Sequence, residues 1–285
     1  MQPRRQLRRR RRPPRRRRLH HPLEPSAASH PMAVNETVIA LLRSKPDMAK
    51  LADDPPHVQA AAQAAVDGPS GVGMIGSYWT EVPLPATGTW NAPGKGGAQA
   101  DVVLTAPQDQ VPLLFIAVDN CHETAEELAA KLEKYARFFR RRVKDTDGKE
   151  RPMWCTRWTV PEQRYGEMPH PPVLLVFNPI GERNPNRTMP RLRELTRHLW
   201  KGEWMREGYH SYDGKIPIIA VGLRNLRAHG PAGAVFLRFG RDRHQPLLDA
   251  IAWTDSRTRV STEGRPEPSP VPRPKSGGWF SRLRS

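Results

Sequence analysis

The 285-residue chain has almost no cysteine and no long apolar run. Cys121 and Cys155 are its only two cysteines, too few for a disulfide framework or a cysteine-built zinc cluster. No stretch approaches the roughly 18 continuous apolar residues that a membrane-spanning helix needs. The pattern predicts no secretory leader either. His20, His21, Pro22, Glu24 and Pro25 follow the arginine-rich start, where such a leader requires an apolar region. These absences predict a cytoplasmic protein with no membrane partner.

Acidic residues are missing from the first 18 positions, which hold 11 arginines. The formal net charge of +17 is therefore unevenly placed: +11 belongs to residues 1–18 and +5 to residues 256–285, leaving +1 for everything between. A uniformly basic nucleic-acid module is excluded. With 11 arginines and six prolines, residues 1–31 have too little apolar surface to offset the entropy of ordering. Two readings of this leader stand side by side. It is a phosphate-attracting arm without sequence information, or it is the product of a misassigned upstream start codon, with translation beginning at Met32. The last 30 residues, with five prolines in Pro266–Pro274, read as a second disordered, basic tail. The expected division is a leader over 1–31, a folded domain over 32–255 and a tail over 256–285.

The middle of the chain reads as an α/β domain with a mixed sheet. Val34–Leu42 has a helical apolar face, and the alanine-rich Ala49–Val66 suits a helix apart from Pro55 and Pro56. Met74–Val82, Ala100–Thr105 and Leu113–Asp119 are strand-length segments, the last two joined by a turn at Pro107–Gln110. Glu123–Arg142 is the clearest helix. Leu128, Leu132, Tyr135 and Phe139 form its apolar stripe, acids stand at its start and arginines at its end, as the helix dipole favours. Further on come a strand at Val173–Asn178, a helix at Met189–Trp200, strands at Ile216–Leu223 and Ala234–Phe239, and a helix at Pro246–Trp253. Through Asn178 the order is αβββαβ, which implies a sheet covered by helices.

Several polar residues fall at the ends of these elements: Asp101 on the second strand, Asp119 closing the third, Lys131 two turns into the following helix, and Glu36 in the first helix. Carboxylates on adjacent strand ends are a common way to hold Mg²⁺ for phosphodiester hydrolysis, because the hard cation takes oxygen ligands. A lysine beside them stabilises charge developing on phosphate. The plainer reading of each is a turn-capping aspartate and a solvated lysine. Arg140, Arg141, Arg142 and Lys144, with Lys149, Arg151 and Arg157, form a candidate phosphate-binding edge, or else a solvated helix end. Cys121-His122 reads as a turn, having no partner pair at metal-ligand spacing. Trp154, Trp158, Trp200 and Trp204 are read as packing residues before base-stacking platforms.

The stretch from "QADVVL" through "VPLLFIAVDNCHETAEELAAKLEKYARFFRR", with "HPMAVNETVIALL" and "SYWTEVPLP" upstream and "PPVLLVFNP" downstream, resembles the replication-relaxation family of bacterial plasmid and mobile-element proteins. The most specific part is Ala117-Val118-Asp119 at a strand end, followed by Ala130-Lys131-Leu132 and Tyr135 on a helix. The resemblance implies a restriction-endonuclease-like core, the PD-(D/E)XK nuclease fold, of order αβββαβ. Asp101 would take the first aspartate position, with Asp101 and Asp119 as metal ligands and Lys131 as a lysine moved to the helix. Glu36 and Glu81 would be additional acids. Alanine stands at 117, where the family usually has glutamate, and aspartate at 119, where the nuclease pattern has lysine. The implied function is a DNA-binding accessory protein of plasmid or mobile-element replication or relaxation with a degenerate nuclease-like site. Two alternatives are an Mg²⁺-dependent endonuclease or nickase, and a protein-interaction module that does not bind DNA.

Overall fold

The computed structural model describes residues 25–252, apart from 44, 74, 110, 159–169, 207 and 209. Along this span come α1 (Pro25–Leu42), a 3-10 turn, α2 (Pro56–Asp67), β1 (Ser77–Leu84), β2 (Ala98–Ala106), β3 (Val111–Asp119) and α3 (Ala125–Arg140). Next are β4 (Arg142–Lys144), β5 (Glu150–Pro152), β6 (Val173–Phe177), α4 (Pro185–Leu195), α5 (Arg197–Trp200), β7 (Glu203–Trp204) and β8 (His210–Ser211). β9 (Ile218–Gly222), α6 (Leu223–His229), β10 (Phe236–Arg238), β11 (His244–Gln245) and α7 (Leu247–Ile251) complete it.

The protein is α/β. Seven strands form one mixed sheet in the order β1-β2-β3-β6-β9-β10-β11. β1, β2 and β3 are an antiparallel meander, β6 and β9 run parallel to β3, and β10 and β11 return antiparallel. The parallel strands β6 and β9 are buried along their whole length, which is why they read as unbroken apolar runs. On one face, Val103, Phe115, Ala117 and Leu175 pack against α3 and α4. On the other, Leu104, Ile116, Val118 and Val176 pack against α1, α6 and α7. Thr124 opens α3 with a reciprocal capping box to Glu127, and the stripe Leu128, Leu132, Tyr135 and Phe139 is fully buried.

Several boundaries differ from the sequence expectation. α1 begins at Pro25, inside the stretch assigned to the leader. It continues through Pro31, whose ring removes a helical hydrogen bond, and the two residues just before it, Ser29 and His30, are tied to the end of the sheet, as described below. Residues 1–24 and 253–285, which include most of the leader and the whole tail, lie outside the described residues. The helix expected over Glu123–Arg142 stops at Arg140, and the basic segment after it forms the β4–β5 hairpin, turning at Gly148 (φ +78). A second helix expected over Met189–Trp200 starts earlier, at Pro185, and is split at Thr196. No helix among the described residues is long and apolar enough to cross a membrane.

Trp154 and Trp158 are buried core residues and Trp200 packs edge-on against Phe239, so these three pack as expected; Trp204 is 66% exposed. His170 is also buried, against the Phe139 ring, and its Nδ1 has no hydrogen-bond partner among the described residues. Burial, aided by Arg140, lowers its pKa to about 4. Between pH 6.5 and about 4 the unfolded chain therefore binds a proton that the folded chain does not, and stability present above 6.5 is lost as pH falls. Replacing His170 with Phe should flatten the loss of urea midpoint across that window. An unchanged pH slope would show that His170 is not held neutral.

Candidate functional site

The meander places Asp101 and Asp119 on adjacent strands, β2 and β3, at the same end of the sheet. The β2–β3 register pairs Val102 with Ile116 and Val103 with Phe115. Extended by one residue, it sets Asp101 opposite Ala117. There the ladder yields to a side chain: Val118 N–H donates to Asp101 Oδ2 at 2.7 Å. Asp101 Oδ1 lies 3.1 Å from His30 Nε2 on α1. Lys131 Nζ reaches across from α3 to within 4.0 Å of Asp101 Oδ2 and 3.6 Å of Glu123 Oε1. Asp101 and Lys131 thus meet, and Glu123 joins them. The three line a groove of about 900 Å³ between α3 and the 83–99 segment.

Asp119 is engaged by the loop that follows it. Its Oδ1 accepts from the backbone N–H groups of Cys121 (2.9 Å) and His122 (3.3 Å). This is the turn-capping role open to any aspartate at a strand end. Burial raises its pKa, against the lowering effect of the Glu123, His122 and Cys121 amides and of Lys131. Glu123 is raised too, first by burial, with Lys131 opposing and Asp119 and Asp101 adding repulsion.

The loop after β3 is held from the far side. Asn178 N–H donates to Asp119 O (2.8 Å), Gly181 N–H to Asn120 O (2.7 Å) and Arg183 N–H to Cys121 O (3.1 Å). Asn178 Nδ2 donates to Asn120 Oδ1, and Asn120 Nδ2 to Ser29 Oγ. A Cβ at position 181 would stand 2.4 Å from Cys121 O, so only glycine allows this approach. Cys121 takes φ +63 at the apex, and burial, with Asp119 beside it, pushes its thiol up to about 12. Cys121-His122 is therefore a turn, as its spacing suggested.

Other sequence candidates lie apart. Glu36 pairs with Arg227 of α6 at 3.3 Å, on the opposite helical layer. Glu81 is exposed, with φ +53 that interrupts the pairing of β1 beside Asp101. The basic edge stands at the far end of α3, about 14 Å along the axis from Lys131 at 1.5 Å per residue. Three of its arginines are used by the fold. Arg140 Nε donates to Ala136 O, Arg141 holds the carbonyls of Pro85 and Gly88, and Arg142 holds Glu150 O. Lys144 is exposed.

The residues present do not fit the Mg²⁺ that the resemblance implies. Both Asp101 oxygens are engaged, and Asp119 Oδ1 is taken by two amides. The Lys131 ammonium already supplies the cation between Asp101 and Glu123. Ala117 offers no oxygen. Among the described residues no group of three His, Cys, Asp or Glu side chains is arranged to hold a metal ion.

Sequence reading missed His30, Ser29, Asn120 and Glu123 as members of this cluster. For Glu123 a signal existed, since it follows the strand-end aspartate by one turn and was read only as a dipole residue. No family model matches the chain, and no curated protein and no solved structure matches it either.

Proposed function

We propose that the chain is a cytoplasmic DNA-binding accessory protein of plasmid or mobile-element replication or relaxation, with a nuclease-like core that works without a catalytic metal. One observation carries the second half of this reading. Lys131 Nζ lies within 4.0 Å of both Asp101 and Glu123, so an ammonium of the chain itself already stands between the two carboxylates where a metal would sit. A divalent ion would have to displace a tethered ammonium and forgo the oxygen that glutamate at 117 would give. The antiparallel meander, crossing helix and parallel fourth strand support the nuclease-like part, since this is the order the resemblance implies. The arginine-rich sequence at 1–18 supports DNA as partner, through phosphate attraction.

The test uses the full chain. Calorimetry with Mg²⁺ and Mn²⁺ should detect no specific site, supercoiled plasmid should remain uncut, and DNA binding should weaken steeply with salt. Metal-dependent nicking that disappears in Asp119→Ala would establish the endonuclease reading instead. Absence of salt-dependent DNA binding would leave the protein-interaction module.

A further inference from the structure

The 119–123 loop separates two grooves of opposite chemistry. On the α3 side lies the carboxylate–lysine groove. On the other side a cavity of about 670 Å³ is lined by His122, Arg183, Asn184, Arg187, Thr188 and Arg191, with Glu182 contributing a carboxylate. Donors dominate this lining. Arg187 and Arg191 lie one turn apart on α4, and Arg183 stands just ahead of it. The Arg187 side chain is exposed and makes no ion pair or hydrogen bond among the described residues. Arg183 uses Nε on His122 O at 2.9 Å, which leaves its terminal nitrogens. Arg191 is held between Glu126 and Glu194, both at 3.2 Å. The first amides of α3 and α4 are capped by Thr124 and Asn184, so side chains and not helix ends carry the charge. Residues 19–255 have a net charge of only +1, so this concentration of arginine is local.

We propose that this cavity grips the phosphate backbone of DNA, with Arg183 and Arg187 as the contacts, and lays the strand along the 119–123 loop beside the Asp101–Lys131 groove. Guanidinium groups match phosphate oxygens with paired hydrogen bonds. Such contacts position a duplex without reading its sequence. The inference rests on the DNA-binding reading above and places it on a surface that differs from the Arg140–Lys144 edge expected from sequence.

The experiment compares full-length wild type, Arg183→Ala/Arg187→Ala, Arg187→Glu and Arg142→Ala/Lys144→Ala. Fluorescence anisotropy with a labelled duplex is read over a range of salt. The arginine-rich tails contribute equally to all four, so differences report the folded part. The cavity double variant should bind about tenfold more weakly at low salt, uniformly across sequences, and its log–log salt slope should fall by about 2. Arg187→Glu keeps every described contact and should weaken binding while melting like wild type. Wild-type binding that the cavity variants leave intact, or that only the Arg142/Lys144 variant weakens, overturns the inference and leaves the DNA-binding reading standing. No salt-dependent binding by wild type overturns both.

Discussion

Ala117→Glu should destabilise the folded chain by about 2–5 kcal/mol without divalent metal, and Mn²⁺ should restore part of the loss. Ala117 is 3% exposed, lies on the α3 face of β3 two residues before Asp119, and pairs in register with Leu175. A longer side chain there meets a packed interior, and overpacking alone costs about 1–3 kcal/mol. Its charge adds the larger share, because a buried carboxylate must find a partner. Lys131, the ammonium of the cluster, already serves Asp101 and Glu123. A divalent cation relieves exactly this conflict only if residue 117 faces the cluster. Binding to the native state then adds stability of about 2.7 kcal/mol at a hundredfold excess over Kd. Thermal melts with and without Mn²⁺ measure both halves. Wild type should show no such shift. A variant as stable as wild type without metal would place residue 117 away from the cluster. A destabilised variant indifferent to Mn²⁺ would mean that the gap at 117 is not a metal gap.

Leu132→Ala should cost a comparable 2–5 kcal/mol, the range of about this size seen when a buried leucine leaves a cavity. Leu132 is 1% exposed and sits within the stripe that seats α3 on the sheet. Phe115 contacts Tyr135 and Phe139 edge-on around it, at 6.4 and 5.0 Å between ring centroids, and Tyr135 OH donates to Gln99 O. These rings are locked by several neighbours and collapse poorly into a void, which favours the upper part of the range. Because Lys131 is the adjacent residue, the same substitution loosens the anchor of the candidate site. Urea unfolding is the direct measurement. A loss under about 1 kcal/mol would mean that α3 is not seated through this position.

The α/β class, the longer strands and helices through β6 and the α3 stripe were legible because each rests on local periodicity. Leu128, Leu132, Tyr135 and Phe139 repeat at helical spacing, and β3 and β6 are apolar runs of strand length. Spacing set Lys131 at the border of the α3 stripe, within reach of the strand ends, but left it and Asp101 with plainer roles as well; their contact is a product of the tertiary structure. The short strands were not legible. β4, β5, β7, β8 and β11 have two or three residues each and carry charged or polar side chains, so no alternation accumulates.

Charge placement, the absence of a long apolar run and the amphipathic helix are properties of neighbouring residues, and the chain determines them by itself. The make-up of the site is not of that kind. His30 reaches Asp101 across 71 positions and Asn120 reaches Ser29 across 91. Arg141, a surface charge in sequence, spends its guanidinium on the carbonyls of Pro85 and Gly88. Whether a basic residue faces solvent or clamps a loop depends on which segments the sheet brings beside it. That is why the cavity formed by Arg183, Arg187 and Arg191 beside the 119–123 loop has no counterpart in any local sequence pattern.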